Sequence, residues 1–133
     1  MTYELTLIQN PSYIHIIVTG ENNQDNVTQY LKDVLFECTA RKCKKVLIEE
    51  RLTGPRLNTL SVFDIANEGS DEASGYFDAI AYVDVYAEGE LMKFAETVAL
   101  NRGLPVRVFA TVADAEKWLN NLPAKADDST IKE

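Results

Sequence analysis

Guanidinium, amide and hydroxyl side chains are concentrated in residues 49–64, EERLTGPRLNTLSVFD. Arg51 and Arg56 bracket a Gly-Pro turn, and Asn58 and Thr59 follow it where a helix is predicted to begin. Guanidinium groups match carboxylate and phosphate geometry, and a helix start presents free N–H groups that favour negative charge. We therefore predict that Arg51, Arg56, Asn58 and Thr59 bind an anion or an acidic partner loop.

A plainer explanation exists for each of these residues. Both arginines can be solvated or can pair with Glu49 and Glu50, because surface charge clusters are commonly solvated. Asn58 or Thr59 can be the N-cap of the second helix, a role that accounts for either residue type without any ligand.

Three carboxylates, Glu49, Glu50 and Asp84, are predicted to lie near strand ends, where paired acids can perform acid/base chemistry or hold a divalent cation. Glu49 and Glu50 should nevertheless point to opposite sides of their strand. His15, the single histidine, falls within a predicted strand, and no nucleophile motif accompanies it. We expect no catalytic residues, no bound metal and no cofactor, since the nucleotide-binding glycine motifs are also absent.

Charge and hydropathy narrow the classes of partner. The 133 residues carry a net charge of -8, which should repel nucleic acid and anionic membrane surfaces. No apolar run approaches the roughly 20 residues of a membrane helix, and MTYELTLIQN lacks a signal-peptide layout. The spacing of Cys38 and Cys43 does not suit zinc, so we expect reduced thiols and a cytoplasmic protein.

Hydrophobic periodicity predicts alternating strands and helices. Apolar or alternating runs predict strands over residues 3–9, 13–19, 46–48, 77–85 and 106–109. The first helix should be capped by Asp25 or Asn26 and the last by Thr111. Residues 68–75, EGSDEASG, resemble a flexible acidic break after the second helix.

The element order is β-β-α-β-α-β-α-β-α, which predicts an α/β fold with a mixed, mostly parallel sheet of about five strands and helices packed on it. The Asn-Pro-Ser link predicts an antiparallel hairpin that leaves the first strand at a sheet edge. Residues 1–122 should form a single domain, and the polar tail 123–133 should be disordered. An exposed edge strand also suggests a homodimer.

Three segments together resemble the STAS domain (sulphate transporter and anti-sigma-factor antagonist) in its SpoIIAA-like branch. They are the two strands before the first helix, the strand-to-helix segment VLIEERLTGPRLNTLSVFDIA, and the ending VRVFATVADAEKWL. The resemblance covers residues 1 to about 122. The CRAL-TRIO lipid-binding group shares part of this layout.

The resemblance implies a non-enzymatic regulatory or interaction domain that binds a partner kinase or switch protein at the N-terminus of the second helix. Such domains can be phosphorylated there, within an Asp-Ser-Ser-Gly-like motif. This chain instead has Arg56-Leu57-Asn58-Thr59, so Thr59 and Ser61 are the candidate phospho-acceptors.

Two alternatives remain open from the sequence. The domain can be a carrier for a small lipid or anionic molecule, held in a cavity between the sheet and the second and third helices. It can also be an enzyme that uses the strand-end carboxylates, in particular Glu50 and Asp84.

Overall fold

A computed structural model of the protein describes residues 3–55, 57–73, 75–84 and 89–122. The described chain contains the predicted elements in the predicted order. They are β1 (Tyr3–Gln9), β2 (Ile14–Glu21), α1 (Gln24–Ala40), β3 (Lys45–Thr53), α2 (Thr59–Ala73), β4 (Ala79–Asp84), α3 (Gly89–Asn101), β5 (Val106–Phe109) and α4 (Val112–Asn120).

The five strands form one sheet in the order β1-β2-β3-β4-β5. β1 pairs antiparallel with β2, and the other neighbouring pairs are parallel. The hairpin closes through the Asn10 N–H, which donates to the Tyr13 carbonyl at 2.9 Å. The predicted mixed, mostly parallel α/β sheet is confirmed, and β1 is an edge strand as expected.

Helices cover both faces of the sheet. Because side chains alternate along each strand, each face presents apolar side chains on which helices pack. α1 buries Val27, Tyr30, Val34 and Cys38, spaced at helical intervals, against one face, where α2 and α3 also lie. α4 packs on the other face, with Leu119 against the alanine-rich side of β4. The strands β3 and β4 are therefore covered on both sides, as continuous apolar runs predict.

Three local predictions are wrong. The N-cap of α1 is Asn23, whose Oδ1 accepts from the Asn26 N–H at 2.8 Å, while the Asn26 side chain is buried. β3 extends to Thr53 instead of ending at residue 48, because pairing with both β2 and β4 continues through Glu49 and Glu50. The predicted acidic break is helical over residues 68–73, so α2 continues through residues of low helix propensity.

One further local prediction is confirmed, and one lies outside the described residues. Thr111 caps α4 as predicted, accepting from the Asp114 N–H at 3.1 Å. The tail 123–133, which the sequence predicts to be disordered, lies outside the described residues. Among the four helices, over the parts described, none combines the length and apolar character needed to cross a membrane.

Candidate functional site

A cavity of about 180 Å³ lies between α2 and the sheet. The cavity forms because α2 packs against the neighbouring helices α1 and α3. In this position α2 covers the space above β3 and β4. The lining of the cavity is mostly aliphatic and comes from the helices α1, α2 and α3 and the strands β3, β4 and β5. Representative members are Leu31 and Leu35 of α1, Val62, Ile65 and Ala66 of α2, Ala95 and Ala99 of α3, and Ile48, Ile80 and Val106 of the sheet.

A buried carboxylate lies at the polar part of this lining. Glu50 is 3% exposed, and its Oε1 accepts hydrogen bonds from the hydroxyls of Tyr30 and Tyr82. The two hydroxyl oxygens are themselves 2.7 Å apart. Tyr30 reaches Glu50 from α1, whereas Tyr82 reaches it from β4, so the cluster joins a helix to the middle of the sheet.

The two tyrosines act as neutral donors. Burial raises the pKa of Tyr30 well above its ordinary value, and the nearby negative charge of Glu50 raises it further. Burial and Glu50 likewise raise the pKa of Tyr82, with Asp84 contributing. Both phenols therefore keep their protons at physiological pH and offer them to the carboxylate, as burial of a charged group requires.

A second carboxylate cluster lies on the opposite face of the sheet. His15 Nε2 is 2.7 Å from Oε1 of Glu49, and Nε of Arg51 is 2.5 Å from Oε2. Burial alone would raise the pKa of Glu49, but hydrogen bonds and charges from Arg51 and His15 outweigh it and lower the pKa. This cluster has the geometry of a partly buried ion pair, and His15, Glu49 and Arg51 do not line the cavity.

The turn between β3 and α2 is held by the loop before α1. The Asn22 N–H donates to the Thr53 carbonyl at 2.8 Å, and the Asn22 side chain donates to the Pro55 carbonyl at the same distance. Gly54 adopts φ +111°, a conformation that other residues rarely tolerate. The Asn58 Oδ1 accepts from the Ser61 N–H at 2.8 Å and caps α2, which makes Thr59 the first helical residue instead of the cap.

The predicted site residues are only partly brought together. Asn58 and Ser61 lie at the amino end of α2, but Arg51 lies on the other face of the sheet, bound to Glu49. Arg56 lies outside the described residues. The proposed anion-binding role of this group, including phosphorylation of Thr59 or Ser61, stays a prediction.

The strand-end carboxylates separate in the way that strand alternation predicts. Glu50 and Asp84 are register partners on neighbouring parallel strands and both line the cavity, whereas Glu49 points to the other face. Within the described ranges, no group of three or more His, Cys, Asp or Glu side chains could hold a metal ion.

Tyr30 and Tyr82 are site residues that the sequence did not single out. Tyr30 falls at helical spacing with the apolar residues Val27 and Val34 of α1, a position typical of core. The available signal was Glu50 itself, which follows Ile48 by two residues and so shares the inward-facing side of β3. A carboxylate buried on that side needs hydrogen-bond donors. Which donors reach it depends on the register between β3 and β4, which is set only when the sheet forms.

Comparisons with known proteins support the fold. The chain superposes with a TM-score of 0.54 on an uncharacterized protein of the DUF3478 family from Shewanella loihica PV-4, described as having a SpoIIAA-like fold. The two sequences are 19% identical, and the match covers 88% of this chain and 93% of that one. No protein-family model matches the sequence, and no curated protein matches it.

The architecture and this likeness define a domain with a SpoIIAA-like α/β fold. The fold resemblance predicted from the three sequence segments is thereby confirmed. At this level of identity the likeness concerns the fold alone, and the similar protein is itself uncharacterized.

Proposed function

We propose that this chain is a non-enzymatic binding domain that holds one small, largely apolar molecule between α2 and the sheet. The supporting observation is the cavity of about 180 Å³, lined mainly by aliphatic side chains from α1, α2, α3 and the sheet. Small-molecule sites are typically concave and apolar, with a few polar groups that orient the ligand. Glu50 and Tyr82 are such groups in the lining.

The position of α2 suggests how a ligand enters. α2 contacts its neighbouring helices α1 and α3, so a small outward movement of this one helix would open the cavity without breaking the sheet. Asn22, in the loop between β2 and α1, donates a side-chain hydrogen bond to the Pro55 carbonyl in the turn before α2. The carrier alternative predicted from the sequence thus becomes the leading function.

The test uses a neutral apolar probe and a variant that fills the cavity. Gly69 lies on the inward face of α2 with Val62, Ile65 and Ala66, and a Cβ built there meets no atom within 4 Å. Titration calorimetry with 1-octanol should show saturable, one-to-one binding to the wild type. Gly69→Leu should weaken it more than tenfold, because the new side chain occupies the same volume.

Gly69→Ala is the matched control, since it makes the same backbone change with little added volume. It should bind 1-octanol as the wild type does and should be more stable by about 0.5–1 kcal/mol, because glycine is a poor helix former. Equal binding by wild type and Gly69→Leu, or no binding to the wild type, would contradict the proposed function. Native mass spectrometry after mild purification should in addition detect mass above that of the bare chain.

A second candidate function is docking of a protein partner at the amino end of α2. The observation that favours it is Leu60, in the first turn of α2, whose side chain is 70% exposed. Phe63, three residues later, packs against the partly exposed Phe94 of α3 with ring centroids 6.4 Å apart. Aromatic side chains are enriched at interaction surfaces relative to the rest of a protein surface.

This docking is tested by comparing partner capture from lysate by wild type and Leu60→Ser. A partner that uses this surface should be lost with Leu60→Ser, while the melting temperature changes little because Leu60 is exposed. Leu100→Ser, an exposed leucine on α3, is the control. Retention of the partner by Leu60→Ser would contradict the placement. A partner of the kinase or switch type, the cytoplasmic location and the homodimer remain predictions.

A further inference from the structure

We infer that the protein binds a small multivalent anion, one that carries several phosphate or carboxylate charges, in a basic pocket at the amino ends of the parallel strands. The basic pocket is defined by Ser12 and by the cations Arg41, Lys42, Lys44 and Lys45. This inference goes beyond the proposed function and does not depend on it, because no described residue lines both the basic pocket and the apolar cavity.

Segments that are distant along the chain form the basic pocket. The turn between β1 and β2 contributes Pro11 and Ser12, residues 41–45 contribute the four cations, and Asp78 precedes β4. The pocket has a volume of about 420 Å³ and is open to solvent. Small-molecule sites typically measure about 300–1,000 Å³, so this one admits a ligand larger than a simple ion. It lies at the opposite end of β3 from the turn before α2, where the sequence predicted an anion.

Positive charge is concentrated at this place in an otherwise acidic chain. Four of the 13 basic residues lie within residues 41–45, although the net charge is -8. Asp78 is the one carboxylate among the described lining residues. Arg41 also pairs with Glu37 on the exposed surface of α1, a type of pair that contributes little and leaves further guanidinium donors available. Cations held this close repel one another, and a bound anion would relieve the repulsion.

Lys42 occupies a backbone position where glycine is favoured. Its φ is +57°, the only positive φ of a non-glycine residue in the described chain. Its N–H donates to the Thr39 carbonyl at 3.1 Å. The next N–H, that of Cys43, donates to the Cys38 carbonyl at 2.9 Å. This pair of bonds ends α1 with a left-handed residue, which is usually glycine. A lysine is less stable in that conformation, and a role in anion binding accounts for its presence.

The side chains of the basic pocket offer the donors that an anion requires. Each lysine ammonium has three N–H donors, and the Arg41 guanidinium and the Ser12 hydroxyl add more. The Lys44 ammonium lies 5.5 Å from the centre of the Tyr76 ring, a cation–π contact that restricts its position. The Asp78 N–H donates to the Lys44 carbonyl at 2.8 Å and fixes the backbone of this segment to the start of β4. An anion with several charges can contact several of these donors at once.

Titration calorimetry of the wild type at pH 7 and low ionic strength tests the inference. Pyrophosphate should bind saturably and one-to-one, at least tenfold more tightly than acetate, which carries a single charge. Added salt should weaken the binding, because exposed charges are screened. A parallel titration with citrate distinguishes phosphate from carboxylate as the preferred group, and tighter binding of either anion than of acetate supports the inference.

Two double variants separate the basic pocket from the overall charge of the protein. Lys42→Gln/Lys44→Gln should lower the pyrophosphate affinity at least tenfold. Lys93→Gln/Lys117→Gln is the matched control, since it removes the same two charges from exposed positions on α3 and α4. It should change the affinity less than threefold.

Lys42→Gly separates binding from a purely structural role. The negative end of the α1 dipole also favours a cation at this place, and a lysine that served only the dipole would affect stability without affecting binding. We expect Lys42→Gly to raise the melting temperature, because glycine adopts the left-handed conformation freely, and to lower the pyrophosphate affinity severalfold. Wild-type affinity in Lys42→Gly would overturn the assignment of Lys42 to the site.

Three further results would overturn the inference. The first is that neither pyrophosphate nor citrate binds the wild type at low ionic strength. The second is that the control double variant weakens binding as much as Lys42→Gln/Lys44→Gln does, because the effect would then come from the overall charge. The third is that a hexaglutamate peptide binds more tightly than either small anion, which would make the surface a docking site for an acidic protein segment. None of these results alters the binding of 1-octanol, so the proposed function stands or fails separately.

Discussion

Glu49 and Glu50 are adjacent in β3, yet their carboxylates lie on opposite faces of the sheet. Glu49 pairs with His15 and Arg51, whereas Glu50 accepts hydrogen bonds from Tyr30 and Tyr82 and lines the cavity. Both side chains are nearly inaccessible, at 5% and 3% exposure. One strand therefore supplies two buried acids with different partners, and only Glu50 faces the proposed ligand.

Removing a single phenol donor should destabilise the fold. Tyr30→Phe deletes one hydrogen bond to the buried Glu50 carboxylate, and we expect a loss of about 1–3 kcal/mol in the free energy of unfolding. Urea denaturation measures this loss. Tyr3→Phe is the control. It removes a hydroxyl that donates to the half-buried Asp33, and its loss in the free energy of unfolding should be smaller. Equal losses in the two variants would show that the Glu50 cluster contributes nothing special to stability.

The ion pair on the opposite face should make stability depend on pH in the acid range. The pKa of Glu49 is lowered from its ordinary value of 4.5 in the folded protein. The stabilisation is therefore complete above about pH 4.5 and is lost as the pH falls through the lower folded pKa. Arg51→Gln should reduce the free energy of unfolding by about 1 kcal/mol at pH 7, and the difference from wild type should shrink below pH 4.5.

Denaturation of both proteins across pH 2–7 provides the measurement for this prediction, with the exposed Arg102→Gln as control. A difference between wild type and Arg51→Gln that stays constant from pH 7 to pH 2 would mean that Arg51 stabilises the protein without acting through Glu49.

The cap of α2 should be sensitive at Asn58 and tolerant at Thr59. Asn58→Ala removes the acceptor for the Ser61 N–H and should cost about 1 kcal/mol. Asn58→Asp keeps an acceptor and should restore most of that stability. Thermal unfolding of these variants beside Thr59→Ala distinguishes the two positions, and a larger loss for Thr59→Ala would contradict the assignment of Asn58 as the cap.

A negative charge at position 61 should stabilise α2. The first turn of this helix contains no acidic residue, and Ser61 is the third residue after the Asn58 cap. Ser61→Glu places a carboxylate near the free N–H groups and should raise the free energy of unfolding by about 0.3–1 kcal/mol at low salt. Ser61→Lys should have the opposite sign. If both variants change stability equally, the helix-terminus charge has no effect here.

Local sequence chemistry was sufficient for the architecture. The alternation of apolar strands with helical stripes predicted the order of elements, the mostly parallel sheet and the position of β1 at its edge. Thr111 was correctly predicted as a cap because its acceptor and the donor it serves lie three residues apart. These features depend on interactions between near neighbours, which the spacing of residues specifies directly.

Predictions were less successful where distant segments compete. The N-cap of α1 is Asn23, and not the predicted Asp25 or Asn26. The Asn26 side chain is buried and donates to the Glu21 carbonyl at 2.9 Å. β3 continued beyond residue 48 because strands on both sides pair with it. Residues 68–73 stayed helical although their composition suggested a break, and the helix that contains them packs between α1 and α3.

The sequence by itself determined the α/β order and the opposite directions of Glu49 and Glu50, because each follows from a local period of two or 3.6 residues. Only the tertiary structure decided which residues meet. Tyr30, Glu50 and Tyr82 are separated by 20 and 32 residues along the chain, and their contact depends on the register of β3 with β4 and on how α1 lies across them. The cavity arises in the same way, because α2 rests on its neighbouring helices, and no local pattern specifies that space.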